Sequence, residues 1–366
     1  MGKIWQKYAK VIVEYCTDVQ KDDLVFIRSD AQAQPLIKAV YEEVLKKGAH
    51  PLMRISIDGI SESFFKYASD EQLDFVDPFT KFEYEKADKF ISIGAPYNLK
   101  NLTRTSPEKQ ARRSKATKDL SVTLLKRSSE GNLNWLICNY PTNALAQEAK
   151  MSLDEYSEFL LNSCHLHLDD PVAKWKEIGK EQDRLVDKIN GTKKIRITGE
   201  KTDITFCVEG RLWINCCGKF NFPDGEIFTS PVENSAEGEI FFDFPAIYRG
   251  NEVNGIHLKL EKGKVVHATA EKGEEFLLKM INQDEGASYV GEIAIGTNDM
   301  IQDITGNILF DEKIGGSIHM ALGCSYPETG GKNESGLHWD IIKNMKNSGK
   351  IYADDILIYE NGKFLI

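Results

Sequence analysis

The chain has 366 residues, of which 41% are hydrophobic and 10% aromatic, and its formal net charge is −10. A chain of this length is usually divided into two domains, and its apolar content is sufficient to fill a core in each. The acidic balance without a dominant Lys/Arg run argues against a nucleic acid partner, and no apolar run is long enough to predict a membrane span.

The first half of the sequence alternates apolar strands with helices. The opening segment IWQKYAKVIVEYCTDV has helical spacing, and it is followed by the strand LVFIRSD and by a helix that ends at Gly48. Further strands are predicted at PLMRISI, KFISIGAP and NWLICNYP. This order predicts an α/β fold with a mostly parallel sheet that helices cover on both faces.

Two long helices are predicted after the last of these strands. One runs from Asn143 through LAQEAKM and LDEYSEFLLNSC, and the other, DDPVAKWKEIGKEQDRLVDKIN, bridges to the second half. Beyond Gly191 the pattern changes to hairpins and to the strands YVGEIAIG and GSIHMALG. We therefore expect an N-terminal α/β domain over residues 1–185 and a mixed α+β domain over residues 186–366.

Missing motifs argue against several classes of protein. No G-x-G-x-x-G follows a predicted strand and no G-x-x-x-x-G-K-[ST] occurs, so a dinucleotide-dependent oxidoreductase would lack its phosphate loop. The seven cysteines are odd in number and contain no C-x-x-C, so neither a disulfide framework nor a thiolate zinc site is expected. Cysteines in apolar runs, and an N-terminus typical of an amphipathic helix rather than a signal peptide, predict a cytoplasmic protein.

Five metal-capable side chains occur at strand or loop edges of the second half: Glu226, Glu292, His319, His338 and Asp340. Glu292 lies in an apolar strand, where a carboxylate is costly unless it is paired or binds a metal, although a strand end that faces water is the alternative. His319 taken alone is more typical of a core histidine. His338 and Asp340 share a face if they lie in a strand. Together these groups are the mixed nitrogen and oxygen set favoured by catalytic Zn²⁺, Co²⁺ or Mn²⁺, and five ligands suit two ions that share a bridging carboxylate.

Several stretches of the second half resemble the M29 metallopeptidase family, the group of aminopeptidases T and S. They are NFPDGEIFTSPVE, GEIAIGTN, GNILFDEKIGGSIHMALGCSYPETGGKNESGLHWD and IYADDILI, and the resemblance is strong from about residue 190 to the last residue. It implies an α/β N-terminal domain, a C-terminal catalytic domain and a homodimer whose cavity admits peptides. It also places the metal ligands on the five residues named above and the family's tyrosine on Tyr326. The chain is shorter than the best-known members, and Cys324 has no role in the family, so its thiol is expected to pack rather than to act as a nucleophile.

The resemblance implies a metalloaminopeptidase that removes N-terminal residues from short peptides by means of a water activated by two divalent ions. Tyr326 is expected to donate a hydrogen bond to the tetrahedral oxyanion. Glu292 is expected to act in catalysis as well as in metal binding, and Glu328 and Glu334 are further candidates for the proton carrier. Either Glu292 or Asp340 bridges the ions. Two alternatives remain open: another dimetal amide or ester hydrolase, and a non-catalytic binding protein with a structural metal site.

Overall fold

The structure is a computed structural model that describes residues 2–366. Its helices are α1 (Gly2–Lys10), α2 (Gln34–Lys46), α3 (Ile60–Tyr67), α4 (Asp70–Asp74), α5 (Pro78–Lys86), α6 (Pro107–Ser129), α7 (Asn143–Glu148), α8 (Leu153–Ser163), α9 (Pro171–Ile189), α10 (Glu274–Ile281) and α11 (Ile308–Asp311). Among residues 2–366, none of the helices combines the length and the apolar character that crossing a bilayer requires.

The strands are β1 (Leu24–Asp30), β2 (His50–Ser56), β3 (Lys89–Gly94), β4 (Asn134–Asn139), β5 (Lys194–Gly199), β6 (Thr202–Cys207), β7 (Ile214–Cys216), β8 (Asn221–Phe222), β9 (Glu226–Thr229), β10 (Glu237–Phe242), β11 (Ala246–Tyr248), β12 (Asn251–Val253), β13 (Ile256–Glu261), β14 (Lys264–Thr269), β15 (Val290–Gly296), β16 (Ser317–Gly323), β17 (His338–Asn344), β18 (Lys350–Ala353), β19 (Ile356–Glu360) and β20 (Lys363–Phe364). The chain divides into two compact units. The first comprises the residues up to Trp175 together with Gly218–Phe222, and the second comprises Lys176–Cys217 and Pro223–Ile366.

The first unit is built on a five-stranded parallel sheet with the order β2-β1-β3-β4-β8. Its inner strands carry buried apolar side chains, among them Val25, Ile91 and Leu136. Strands of this kind need a covering layer, and the intervening helices supply the crossover connections that parallel pairing requires. The predicted α/β class and the predicted parallel sheet are therefore confirmed.

The long helix predicted from Asn143 through LDEYSEFLLNSC is wrong, because the segment forms two helices, α7 and α8. Between them Lys150 has a φ of 58°, a left-handed conformation that ends the first helix. Ser152 then starts the second helix with a capping box, in which its side chain accepts from the backbone of Glu155 and that glutamate accepts from the backbone of Ser152. The sequence S-L-D-E is the signature of this cap and indicates the break.

The second unit contains an eight-stranded sheet with the order β14-β13-β10-β6-β5-β18-β19-β20 and an antiparallel five-stranded sheet with the order β17-β16-β15-β9-β7. One hydrophobic cluster includes side chains from both sheets, for example Phe206 and Leu258 from the first sheet and Ile293 and Trp339 from the second. The five-stranded sheet thus has one face in this core. Its other face carries the five metal-capable side chains that were predicted from the sequence.

Candidate metal centre

The pairing of four neighbouring strands brings the five predicted metal ligands to one face of the five-stranded sheet. Gly296 of β15 lies opposite Glu226 of β9, which places that glutamate on the face of Glu292, because residues two or four apart on a strand share a face. In the same way Ala321 of β16 lies opposite both Glu292 and Asp340. The sequence-predicted residues are therefore adjacent in space although they are far apart along the chain.

The remaining two ligand candidates occupy the same face. His319 lies two residues before Ala321 on β16, and His338 of β17 lies opposite Gly323. The residues between the polar side chains, Ala321 and Gly323 among them, are small. Gly323 has a φ of +98°, and a Cβ there would lie 2.2 Å from the carbonyl oxygen of Leu337. Glycine at this position is thus required by the backbone.

Glu292 lies between the two imidazoles. Its Oε1 is 3.3 Å from His319 Nε2, and its Oε2 is 3.6 Å from His338 Nε2. Glu226 Oε2 lies 3.5 Å from His319 Nε2, and Asp340 Oδ1 lies 3.4 Å from His338 Nε2. Ligand atoms therefore converge in two groups that share Glu292, each within 4.8 Å: Glu226, Glu292 and His319 in one, and Glu292, His338 and Asp340 in the other.

Two carboxylate oxygens of this cluster face the imidazoles without a hydrogen bond, an arrangement that fits a bound cation between them. Glu226 Oε2 and Asp340 Oδ1 are buried and have no hydrogen-bond partner among residues 2–366. A buried polar atom without a partner costs free energy, and a carboxylate costs more than a neutral group. Glu292 is only 3% exposed, so the strand end facing water, which the sequence left open, is not what the structure has. The donor set and the unsatisfied oxygens both suit divalent cations.

The surrounding charges shift the pKa values of these groups strongly. Burial lowers the pKa of His319, but its hydrogen bond to Glu292 and the charges of Glu226, Glu292 and Asp340 outweigh burial and raise the pKa to about 9. The same balance, with Asp340 as the main partner, raises the pKa of His338 to about 10. Burial raises the pKa of Glu226 to about 8. Burial alone would raise the pKa of Asp340, but the two imidazoles hold it well below the usual range of a carboxyl group.

A second layer of contacts orients His338 and the tyrosine. The Nδ1 of His338 lies 2.9 Å from the carbonyl oxygen of Cys324, which leaves Nε2 directed at Glu292 and Asp340. The ring of Tyr326 packs edge-on against His338, with ring centroids 5.2 Å apart, and the side chain is 38% exposed. The backbone of Cys324, rather than its thiol, is therefore the part of this residue that contacts the cluster.

Three charged residues that the sequence analysis missed lie beside the predicted ligands. Lys313 is 1% exposed, and its Nζ lies 2.8 Å from Glu312 Oε1 and 3.4 Å from Asp224 Oδ1, and it also donates to Glu226 Oε1. Glu312 forms a further group of converging donor atoms with His319 and Asp340. The only sequence signals are the D-E-K triplet for Glu312 and Lys313 and the P-D-G turn for Asp224, and both are also typical of solvated turns.

The predicted proton carriers Glu328 and Glu334 have a different environment. Both are exposed, and neither belongs to a group of converging donor atoms among residues 2–366. Their loop is nevertheless held to neighbouring loops, since Lys332 donates from its backbone to Glu233 Oε1 and Arg211 donates to Glu233 Oε2, both at 2.8 Å. None of the seven cysteines, all of which lie in the described part of the chain, forms a disulfide.

Comparisons with known proteins agree over nearly the whole chain. A family model described as thermophilic metalloprotease (M29) matches residues 2–364. Aminopeptidase 2 of Geobacillus stearothermophilus is 26% identical over 88% of this chain and 83% of its own length, and aminopeptidase PepS of Streptococcus thermophilus is 25% identical over 99% of this chain and 98% of its own length. The solved structure of wild-type AmpT from Thermus thermophilus has a TM-score of 0.87 at 22% identity and covers 100% of this chain and 99% of that one, which shows a shared fold.

Proposed function

Since the chain belongs to the M29 metalloprotease family, we propose that it is a metal-dependent aminopeptidase that removes N-terminal residues from short peptides. The relatives named aminopeptidase support this activity. The observation that carries the mechanism is the position of Glu292, whose two carboxylate oxygens each face a different imidazole. A carboxylate in that position suits a ligand shared by two cations.

The two groups of converging atoms support an assignment of residues to each proposed ion. Glu226, Glu292 and His319 form one set, and Glu292, His338 and Asp340 form the other, so Glu292 rather than Asp340 is the proposed bridge. Two divalent ions held there would supply an activated water and polarise the scissile carbonyl. Zn²⁺, Co²⁺ and Mn²⁺ all accept this mixture of imidazole and carboxylate ligands.

Tyr326 is the proposed stabiliser of the developing oxyanion. Burial, followed by the charges of Glu292 and Asp340, raises the pKa of Tyr326 well above that of a free phenol, so the hydroxyl keeps its proton at working pH. A neutral phenol beside the cluster donates a hydrogen bond to an oxyanion. The contact of its ring with His338 fixes its position relative to the ligands.

The proposal includes a catalytic domain over residues 186–366, a homodimer and a reducing cytoplasmic location, the last supported by seven cysteines without a disulfide.

The test is hydrolysis of leucyl-, arginyl- and tyrosyl-p-nitroanilide by protein that has been stripped with a chelator and then supplied with Zn²⁺, Co²⁺ or Mn²⁺ separately. We expect activity to disappear with the chelator, to return with at least one ion, and to be absent on the N-acetylated substrates. Restored hydrolysis of acetylated amides or simple esters alone would instead indicate another dimetal hydrolase.

Substitution of the proposed bridge separates catalysis from a purely structural metal site. Glu292→Ala is expected to lower kcat/KM by at least about a hundredfold and to reduce the number of bound ions per chain, as measured by elemental analysis. If the variant kept its activity and lost only thermal stability, the metal would be structural and the peptidase proposal would be wrong.

A further inference from the structure

Lys313 is a fully buried cation whose backbone is fixed on both sides. It lies two residues after the end of α11, its amide donates to the carbonyl of Phe310 at 3.0 Å, and its carbonyl accepts from the amide of Asn298 at 3.0 Å. The side chain is 1% exposed, and a buried ammonium is stable only among anions or hydrogen-bond acceptors. The fold therefore fixes the position of Nζ, unlike that of a lysine on the surface.

The carboxylates around Lys313 differ in their relation to the proposed metal ligands. Of the three carboxylates that Nζ contacts, Glu226 belongs to the proposed metal ligands, whereas Asp224 and Glu312 contact the ammonium from outside the two ligand groups that share Glu292. The ammonium thus joins one proposed ligand to two carboxylates outside those two groups. Without it, these buried anions would repel one another with no cation to hold them in place.

The two oxygens of Glu226 have different surroundings. Oε1 accepts from Lys313, whereas Oε2 has no hydrogen-bond partner in the described chain and lies 3.5 Å from His319 Nε2. A carboxylate with one oxygen held by an ammonium presents the other oxygen to a cation. The lysine therefore holds one oxygen of Glu226, and the other oxygen faces the imidazole.

The charges of the whole cluster also require this cation. Five carboxylates are gathered here, those of Asp224, Glu226, Glu292, Glu312 and Asp340. With both imidazoles neutral, two divalent ions and one ammonium balance five carboxylates. Two divalent ions alone would leave a buried negative charge, which is expensive in a medium of low dielectric constant.

From these contacts we propose that Lys313 is a positioning residue of the metal centre, which fixes Glu226 as a one-oxygen ligand and neutralises Asp224 and Glu312. This inference rests on the proposed function, because it concerns the ion held by Glu226, Glu292 and His319. The lysine also repels that ion. It contacts the far oxygen of Glu226, however, so the loss of an oriented ligand outweighs the loss of a more distant repulsion. Removal of a residue that orients a metal ligand typically weakens metal binding by about 10–100-fold.

Lys343 provides a matched control for the removal of a buried lysine. It is also 1% exposed, and its Nζ lies 3.4 Å from the carbonyl oxygen of Glu200. On β17 it pairs with Ile318, which places it on the core face of the sheet rather than on the face of the proposed ligands. Lys343→Met should therefore lower thermal stability without changing metal binding.

The experiment measures Zn²⁺ binding to chelator-stripped wild type, Lys313→Met and Lys343→Met by competition with a chromophoric chelator. We expect two ions per wild-type chain. In Lys313→Met one binding step should weaken at least tenfold while the other changes by less than about threefold, and both should be unchanged in Lys343→Met. Equal binding by wild type and Lys313→Met would overturn the inference alone, whereas a wild type that binds no Zn²⁺ would overturn both the metal centre and the inference.

If Lys313→Met does not fold, a second pair of variants tests the same inference. Glu312→Gln removes one of the carboxylates that the ammonium balances, so the double variant Glu312→Gln/Lys313→Met carries one surplus negative charge fewer than the single lysine variant. Compared with Glu312→Gln alone, the double variant should still lose at least tenfold in one binding step, because Glu226 has lost its donor. Identical binding constants for these two proteins would contradict the positioning role.

Discussion

The two histidines of the cluster lead to a quantitative prediction about protons. In the metal-free protein the pKa of His319 is raised to about 9 and that of His338 to about 10. Each imidazole must give up its proton before its Nε2 can bind a cation. At pH 7 both are protonated in nearly every metal-free molecule, so loading both ions should release about two protons from the imidazoles.

Glu226 adds a third proton, because burial raises its pKa to about 8 and a metal-bound carboxylate is ionised. At pH 7, deprotonation costs about 2.7 kcal/mol for a group of pKa 9 and about 4.1 kcal/mol for a group of pKa 10. Both costs weaken metal binding at neutral pH. The product of the two association constants should therefore rise by about a thousandfold for each pH unit gained up to about pH 8.

The assay is calorimetric titration of chelator-stripped protein with Zn²⁺ at pH 6.5 and 7.5, in pairs of buffers that differ in their heat of ionisation. The dependence of the observed heat on the buffer counts the protons released, and a blank titration of each buffer with Zn²⁺ is the control. Release of less than one proton per chain, or affinities that do not change with pH, would refute the reasoning, because the imidazoles would then already be neutral before the metal binds.

Three further predictions concern stability and catalysis. The imidazole pKa values are raised above the unfolded value of about 6.5, so their stabilisation of the metal-free protein is complete below that pH and is lost as pH rises through 9 to 10. The free energy of unfolding of chelated protein should therefore fall as pH rises, by about 3 kcal/mol for His319 alone, and the melting temperature should fall with it. Excess Zn²⁺ should abolish the trend. Tyr326→Phe should lower kcat by about 10²–10³ and leave KM and the ion content unchanged; a wild-type kcat would remove the phenol from the mechanism. Gly291→Ala should destabilise the fold by about 2–4 kcal/mol in a denaturant titration, because a Cβ there would lie 2.2 Å from the carbonyl oxygen of Cys324. A variant of wild-type stability would show that the backbone at Cys324 can move away.

The sequence was a good guide to the class of the fold and to the identity of the polar residues that converge. Alternation of apolar strands and helices predicted the parallel sheet, because such strands must be covered on both faces. The same patterns predicted one helix where the chain forms α7 and α8, since helical periodicity continues on both sides of Lys150 and only the cap at Ser152 indicates the break. The positions at which helices end and begin were therefore the weaker part of the prediction.

The arrangement of the cluster was harder to predict because it depends on strand register. Periodicity gives the face of a residue within its own strand, but it does not give the partner strand. Glu292 illustrates the difference: its segment is compatible with a water-exposed strand end, and only the pairing with β16 buries it between two imidazoles. Lys313 and Glu312 precede a strand in a glycine-rich turn, and no local pattern distinguishes such a pair from ordinary surface charges.

The hydrophobic core and the ligand cluster are consequences of one and the same register. On β17, His338 and Asp340 face the cluster, while Trp339 and Ile341, which alternate with them along the strand, are 1% and 0% exposed in the core. Trp339 stacks on Tyr248, with ring centroids 5.4 Å apart. A slip of one residue between β16 and β17 would move both ligands into the core and expose both apolar side chains, at a cost of several kcal/mol from the lost burial alone. The apolar residues that never contact the polar cluster therefore determine which side chains reach it, and the ligand geometry is as stable as the core behind it.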